Sequence, residues 1–325
     1  MSTVMLVTKR LSSSPTGGRE MLCKLNRDCL KDIFGDRLIS FEIDPRPVDH
    51  FGAVLQAFGG HIDGITGNVI ANGLRQIRAR NVRKVFVDGS NLGHLTFAIK
   101  TRFPKIEVCT FFHNVEARFF LGSLKEQKTP HALAVLLCNY LAERKAVRYS
   151  DILVTLSERD SSLLRRVYGR AATHVSPIAI EDKLPQGLRR RCRFGEKYAL
   201  FVGGTFYANR AGIAWFVRNV VPRIQCKVCI VGRGFETLRP ELECDGKVEV
   251  VGSVDSVVEW YLNAHFAIAP IFGGSGAKYE ALAVNVQDAT ATTTLASLGM
   301  RQQQRKRGVS VSLAAHLYGR DIAQQ

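Results

Sequence analysis

The sequence predicts an α/β fold with two doubly wound halves, each a parallel sheet covered by helices. Three observations predict it. Short apolar runs rich in β-branched residues alternate with helical patterns from the start of the chain. The alternation stops over 177–197, where Pro177, Pro185, Gly187 and Gly195 surround a basic run, and then restarts. At 325 residues the chain exceeds the usual size of one core, which suggests two domains of roughly 150 residues each.

In the first half the strand patterns are TVMLVT (3–8), LISFEI (38–43), KVFVD (84–88), IEVCTFF (106–112) and ILVTL (152–156). Helical patterns lie between and after them, near 19–33, 67–80, 94–102, 130–148 and 158–168. The stretch 131–151 is apolar at first and charged later, as in a helix packed on a sheet with a wet C-terminal end. In the second half YALFVGG (198–204), a helix over 208–221, KVCIVG (227–232), KVEVVG (247–252), a helix over 254–263 and HFAIAPI (265–271) follow in turn. After about residue 284 no convincing strand–helix unit can be placed; QDATATTTLAS is biased to Ala and Thr, RQQQRKR to Gln and Arg. The domains expected are therefore 1–180, a linker over 181–197, a partial second domain over 198–284 and an atypical tail over 285–325.

Composition narrows the function. Apolar content is 46%, and no run reaches the ~18 apolar residues a membrane span needs. No charged leader precedes the first apolar run, so a cytoplasmic location is expected. The eight cysteines form no disulfide-like framework, which suits a reducing compartment. Cys226 and Cys229 form a C-x-x-C, but on a strand that spacing sends them to opposite faces. With no second pair to complete a zinc site, they read as core cysteines.

With 45 Lys+Arg against 29 Asp+Glu the formal net charge is +16. That balance favours phosphorylated substrates, anionic lipid headgroups or nucleic acid. The basic runs RQIRARNVRK (75–84), RRRCRF (189–194) and RQQQRKR (301–307) carry no interleaved aromatics for stacking bases. No helix-turn-helix, finger or RNP signature is present either, so no nucleic acid is expected.

The chemistry points to one sheet edge. FFHNVEARFF (111–120) ends an apolar strand and places His113, Asn114 and Glu116 where the strand hands over to a helix. VDGSNLGH (87–94) ends the preceding strand and brings Ser90 and Asn91 to the same edge. In open α/β sheets that edge is where ligands bind. His113 has two readings, a site residue or a local cap. As a strand-edge side chain it has little core to lose.

Taken together, PTGGRE (15–20), VDGSNLG (87–93), FFHNVE (111–116), SDILVTLSERD (150–160), LFVGGTFYANRAGI (200–213), CIVGRG (229–234) and the stretch from Val248 to Ala283 occur in a familiar order. Over roughly 3–283 the chain resembles the retaining glycosyltransferases of the GT-B architecture, the family 4-like group 1 enzymes. The resemblance implies two Rossmann-like domains facing a cleft, the first on the acceptor side and the second binding the nucleotide sugar. It implies transfer of a sugar from a nucleotide-sugar donor to a glycan or lipid-linked acceptor, with retention and without a metal or other cofactor. It also implies polysaccharide or glycoconjugate biosynthesis, with the enzyme peripheral on the inner, anionic membrane face.

By the same resemblance His113 sits beside the donor sugar, as the catalytic candidate. Gly17 and Gly18, in a loop before a helix, would let backbone N–H groups approach the diphosphate, or form only a flexible turn. Arg210 and Lys278 are candidate cations for that diphosphate; Arg210 reads equally as a surface residue. Gly274, Ser275 and Gly276 form the loop before Glu280, which matches the glutamate that holds the donor ribose. Ser90, Asn91, Asn114 and Glu116 belong to the cleft or acceptor side. VGRGFE (231–236) has two of three glycines of a dinucleotide fingerprint, with Thr237 at the third position, so no nicotinamide site is read there.

The chain departs from the family in three places. Many relatives carry two glutamates eight positions apart, and the position eight before Glu280 is Phe272. GGSGAKYEAL is about three residues short between Lys278 and Glu280, worth ~4.5 Å of rise and about 300° of rotation. The strand and closing helix expected after 284 are missing. These predict a weakened donor site, and as the alternative function a poorly active remnant that serves as a binding protein.

Overall fold

The computed structural model describes residues 3–12, 18–44, 56–178, 198–244 and 246–270. The predicted linker over 181–197 and everything beyond 270 lie outside the described residues. Those described fall into two compact units, 3–178 and 198–270.

In the first unit the strands are β1 (Thr3–Lys9), β2 (Leu38–Ile43), β3 (Val82–Asp88), β4 (Glu107–Phe112), β5 (Ile152–Thr155) and β6 (His174–Val175). They form one sheet in the order β2-β1-β3-β4-β5-β6, every pair parallel. The helices are α1 (Gly18–Phe34), α2 (Gly67–Ala79), α3 (Gly93–Arg102), α4 (Glu116–Gln127), α5 (Pro130–Tyr149) and α6 (Glu158–Tyr168). The chain leaves β1 in one direction to make β2, then crosses back to place β3 on the other side. The switch point of the sheet is therefore between β1 and β3, and in open α/β sheets ligands bind at the strands' carboxyl ends there.

Alternation along each strand explains why the sheet is covered on both faces. Met5, Val7, Val85 and Val87 pack with Ile77, Leu95 and Ile99 on the α2–α3 side. Val4, Leu6, Phe86 and Phe111 pack with Leu22, Leu30 and Phe34 of α1 on the other. Local signals start and stop several helices. Thr66, Thr129 and Ser157 cap α2, α5 and α6, each accepting a backbone N–H with its hydroxyl. Pro130 opens α5, and Gly169 in the left-handed conformation closes α6. Gly93 is where α3 touches α5; a Cβ there would lie 2.0 Å from the Ala142 carbonyl oxygen.

The predicted strand and helix ranges hold to within a few residues; β6 and α4 in this unit, and a short helix over Arg239–Leu242 in the second, were unanticipated. The two-residue β6 is too short to show in a sequence. Helix α4 follows β4 directly, so two helices rather than one connect β4 to β5.

The second unit repeats the design on a smaller scale. β7 (Tyr198–Val202), β8 (Lys227–Val231), β9 (Val248–Gly252) and β10 (Phe266–Ala267) form a parallel sheet in the order β10-β7-β8-β9. Helices α7 (Tyr207–Asn219), α8 (Arg239–Leu242) and α9 (Val258–Asn263) accompany it. Phe201, Val228 and Ile230 pack with Ile213 and Val217 on one face, while Tyr198, Leu200 and Val231 pack with Tyr261 on the other. Cys226 and Cys229 fall in opposite layers, as a strand requires. None of the described cysteines is in a disulfide. Gly232, at φ +150°, lets the turn after β8 touch the Gly203 backbone; its Cβ would meet that carbonyl oxygen at 1.8 Å.

Candidate functional site

The polar cluster of the first unit sits at the switch point. β1 ends in Thr8 and Lys9, β3 ends in Asp88, and β4 runs out into His113. Around them stand Arg19, Cys23 and Asn26 of α1, with Asp63 from a turn and Ser90 and Asn91 from the short 3-10 helix Ser90–Leu92.

Asp88 and His113 form its centre. His113 Nε2 lies 2.9 Å from Asp88 Oδ1, with side-chain exposures of 3% and 0%. Asn26 Nδ2 donates to the same oxygen at 2.8 Å, and Thr8 Oγ1 donates to Oδ2 at 3.2 Å. Burial by itself would raise the Asp88 carboxyl, but His113, Asn26 and Cys23 hold it below the usual carboxylate range. A carboxylate facing Nε2 needs a proton on that nitrogen, so in the neutral imidazole Nδ1 keeps a bare lone pair. Nδ1 is buried and has no hydrogen-bond partner among the described residues; neither has Asn114 Oδ1. Cys23 Sγ lies 3.7 Å from Nε2.

Beside this pair lies an ionic group. Lys9 Nζ pairs with Asp63 Oδ1, and Arg19 Nη2 reaches Asn91 Oδ1 at 2.9 Å and Asp63 Oδ2 at 3.4 Å. Burial pulls the Lys9 ammonium down, helped by Arg19, although Asp63 opposes both. Asp63 is pushed up by burial, yet Arg19 and Lys9 together hold it low.

Behind both groups stands Glu143, in the middle of α5 and fully buried. It accepts from Ser90 Oγ at 3.0 Å, from the backbone N–H of Glu116 at 2.9 Å and Ala117 at 3.0 Å, and from Tyr168 OH at 2.6 Å. It therefore caps α4 from another helix and ties the loop after β3 to the loop after β4. Burial raises its carboxyl, and the four donors pull the other way. Glu116, also buried, is pushed up to about 7 by burial, Arg19 opposing and Glu143 and Asp63 adding to it.

These placements amend the sequence reading. His113 is a buried partner of Asp88, so it does have core to lose. Ser90 and Glu116 are buried, Asn91 is bound to Arg19, and Asn114 is half-buried. Gly18 is the first residue of α1, while Gly17, Gly274, Ser275, Gly276, Lys278 and Glu280 lie outside the described residues. Arg210 is half-exposed in the first turn of α7, 3.7 Å from Glu241 Oε1. Its neighbour Asn209 is buried and donates to the Gly204 carbonyl at 2.8 Å, fixing the glycine loop after β7. In the VGRG turn the Gly234 N–H is taken by Glu236 Oε2 at 2.6 Å.

Sequence reasoning passed over Asp88, Arg19, Asp63, Cys23 and Glu143. Asp88 carried a usable signal, because an acid closing an apolar strand at the binding edge is rarely idle. Glu143 carried little, since an acid in a helix reads as solvated.

Residues 196–296 match the family model described as glycosyl transferases group 1. That stretch of the chain is similar to a glycosyltransferase domain. Solved structures agree on the architecture. Sucrose-phosphate synthase from Thermosynechococcus elongatus superposes with a TM-score of 0.57 at 13% identity, covering 84% of this chain and 76% of that one. The Anabaena protein HepE, solved in complex with UDP and glucose, gives 0.52 at 11% identity, over 82% of this chain and 73% of that one. OtsA in its apo form gives 0.50 at 12%, over 84% and 79%. The fold these structures share with the chain is GT-B. No curated protein sequence matches the chain.

Proposed function

We propose that the chain transfers a sugar from a nucleotide-sugar donor to a glycan or lipid-linked acceptor, with retention of configuration and without a metal in the transfer step. The observation that carries this reading is the glycosyltransferase match over 196–296. The geometry at the β1–β3 switch point supports it. His113 Nδ1 is a buried acceptor with its tautomer set by Asp88, suited to receive a hydroxyl hydrogen from the donor sugar. A leaving nucleoside diphosphate needs positive charge and backbone donors. Gly17, Gly18, Arg210 and Lys278 are the proposed sources, with Gly274, Ser275 and Gly276 lining the donor and Glu280 holding the ribose.

For the acceptor we propose a lipid-linked glycan at an anionic inner membrane face. No described helix is long and apolar enough to cross a membrane. However, Leu133, Leu137 and Leu141 of α5 are all exposed, and Arg144 and Arg148 are exposed further along the same helix. At about 100° per residue these five positions fall within an arc of about 80°. An apolar stripe continued by cations on one helix face suits an anionic lipid surface.

The test is a thermal-shift screen against UDP, GDP and their sugars, followed by transfer assays on the ligands that bind. UDP-glucose comes first, because the Anabaena neighbour was solved with UDP and glucose. At a hundred times Kd a ligand should add about 2.7 kcal/mol of stability. No shift with any nucleotide or nucleotide sugar would defeat the reading.

A further inference from the structure

Three side chains from three separate elements converge beneath the candidate site. They are Cys23 of α1, Asp88 at the end of β3 and His113 just beyond β4. All three are buried, and Sγ, a carboxylate oxygen and a ring nitrogen lie within 4.8 Å of one another. His113 Nε2 is the shared vertex, 2.9 Å from Asp88 Oδ1 and 3.7 Å from Cys23 Sγ.

Those separations can be compared with a metal polyhedron. Around a tetrahedral Zn²⁺, with bonds of about 2.0 Å to N and O and about 2.3 Å to S, the N···O edge is about 3.3 Å and the N···S edge about 3.5 Å. Each observed edge is within a few tenths of an ångström of its counterpart, which small χ adjustments can absorb. We propose that Cys23, Asp88 and His113 form a zinc site that supplies no step of the transfer, and whose occupation reverses the hydrogen-bonding sense of His113.

The protons balance as follows. Without metal, Nε2–H donates to Asp88 and Cys23 keeps its thiol proton. On binding, Nε2 gives its lone pair to zinc and the ring proton moves to Nδ1. The thiol proton leaves to solvent, and an Asp88 oxygen completes the three protein ligands. Zn²⁺, one thiolate and one carboxylate sum to zero charge, so the filled site adds no uncompensated ion to the interior. Thr8, bonded to Asp88 through Oγ1, lines the same place.

The consequence lies at Nδ1. Bare, it accepts a hydroxyl hydrogen; carrying a proton, it can only donate. Zinc and a sugar hydroxyl oriented for the metal-free ring therefore oppose each other. This coupling rests on the proposed function, whereas the zinc site does not.

The probe is Zn²⁺ alone, titrated by calorimetry into the metal-free full chain, with Co²⁺ as a spectroscopic substitute. The expected result is one equivalent bound with one proton released, and a cobalt spectrum showing a thiolate charge-transfer band with tetrahedral d–d intensity. Cys23→Ser should weaken zinc by a hundredfold or more and abolish the charge-transfer band. Cys138→Ala, at a buried cysteine of α5, should change neither. Circular dichroism checks that each variant folds. If Cys23→Ser does not fold, the wild-type cobalt spectrum decides by itself. No stoichiometric zinc, no thiolate band, or wild-type affinity in folded Cys23→Ser overturns the proposal. Loss of zinc binding with sugar transfer intact, or the reverse, separates failure of the site from failure of the proposed function.

Discussion

Replacing His113 by alanine removes two things at once, and the structure gives a size for each. Asp88 is completely buried and accepts three side-chain hydrogen bonds, one of them from His113. Losing that bond to a charged acceptor costs about 1.5–3 kcal/mol. The vacated ring adds roughly 1–2 kcal/mol of lost burial. The sum, about 3–5 kcal/mol, should lower the melting temperature by roughly 10 °C in a unit of this size. The same change deletes the Nδ1 acceptor proposed for the sugar. One aligned polar contact in the transition state is worth about 2–4 kcal/mol, or about a 30- to 1,000-fold loss of kcat. His113→Gln separates the two effects, because its amide N–H can reach Asp88 as Nε2–H does but leaves no acceptor where Nδ1 stood. The assay pairs thermal unfolding with kcat on whichever nucleotide sugar binds, at a temperature where both variants are folded. Alanine should lose stability and activity; glutamine should recover much of the stability and little of the activity. Recovery of both by glutamine would mean that the ring acts only by satisfying Asp88, and the catalytic reading of His113 would be refuted.

Three further outcomes follow from the same network and surface. Glu143→Gln keeps the volume but gives one oxygen acceptor where four donors converge, so the urea midpoint should fall by an amount equivalent to about 2–4 kcal/mol; an unchanged midpoint would show that these donors find other partners. Glu116 has a folded pKa raised from 4.5 to about 7, so its contribution is favourable below pH 4.5 and is lost as pH rises through 7. Glu116→Gln should therefore match wild type near pH 4 and exceed it by up to about 3 kcal/mol at pH 8, and equal stability at both pH values would contradict the burial argument. Leu137→Glu should weaken binding to anionic vesicles about tenfold, since one partly inserted leucine contributes about 1–2 kcal/mol; vesicle binding that ignores this change would place the membrane contact elsewhere.

The strands were legible because parallel strands buried on both faces read as continuous apolar runs, and LISFEI and KVFVD could hardly be anything else. The helices with their own caps, such as α6 between Ser157 and Gly169, were legible for the same local reason. Helix α4 was not, because Val115 at its start offers no capping side chain. Its first amides are satisfied by Glu143, which is 27 residues away from Glu116 in the chain. Tertiary capping leaves no mark in a local window. The site followed the same division. His113 was found from its place at a strand end, while its partner Asp88 was quoted inside a motif and given no role. The pairing of Lys9 and Arg19 with Asp63 depends on a loop whose position no periodicity could supply.

That pairing bears on how the proposed reaction would be divided within the chain. The two cations at the switch point, Lys9 and Arg19, are already engaged by Asp63. Asp88, held below the usual carboxylate range, adds negative charge, and Glu116 adds more as pH rises through about 7. A diphosphate brought to this edge would meet as many acids as bases, so the first unit's described side chains are poor counter-ions for a departing nucleotide. They are better suited to neutral hydroxyls, which need fixed acceptors such as His113 Nδ1 and Asn114 Oδ1 rather than net charge. In the proposed reaction the leaving group's charge falls to the backbone donors proposed at Gly17 and Gly18 and to Arg210, which is half-exposed and only distantly paired, at 3.7 Å from Glu241. Arg210→Ala should accordingly weaken a nucleoside diphosphate and its sugar alike, by about 1–2 kcal/mol if the cation contact is partly exposed. His113→Ala should weaken only the sugar-bearing ligand. Calorimetry with UDP and UDP-glucose on both variants checks the division, and a loss of UDP affinity in His113→Ala equal to that in Arg210→Ala would refute it.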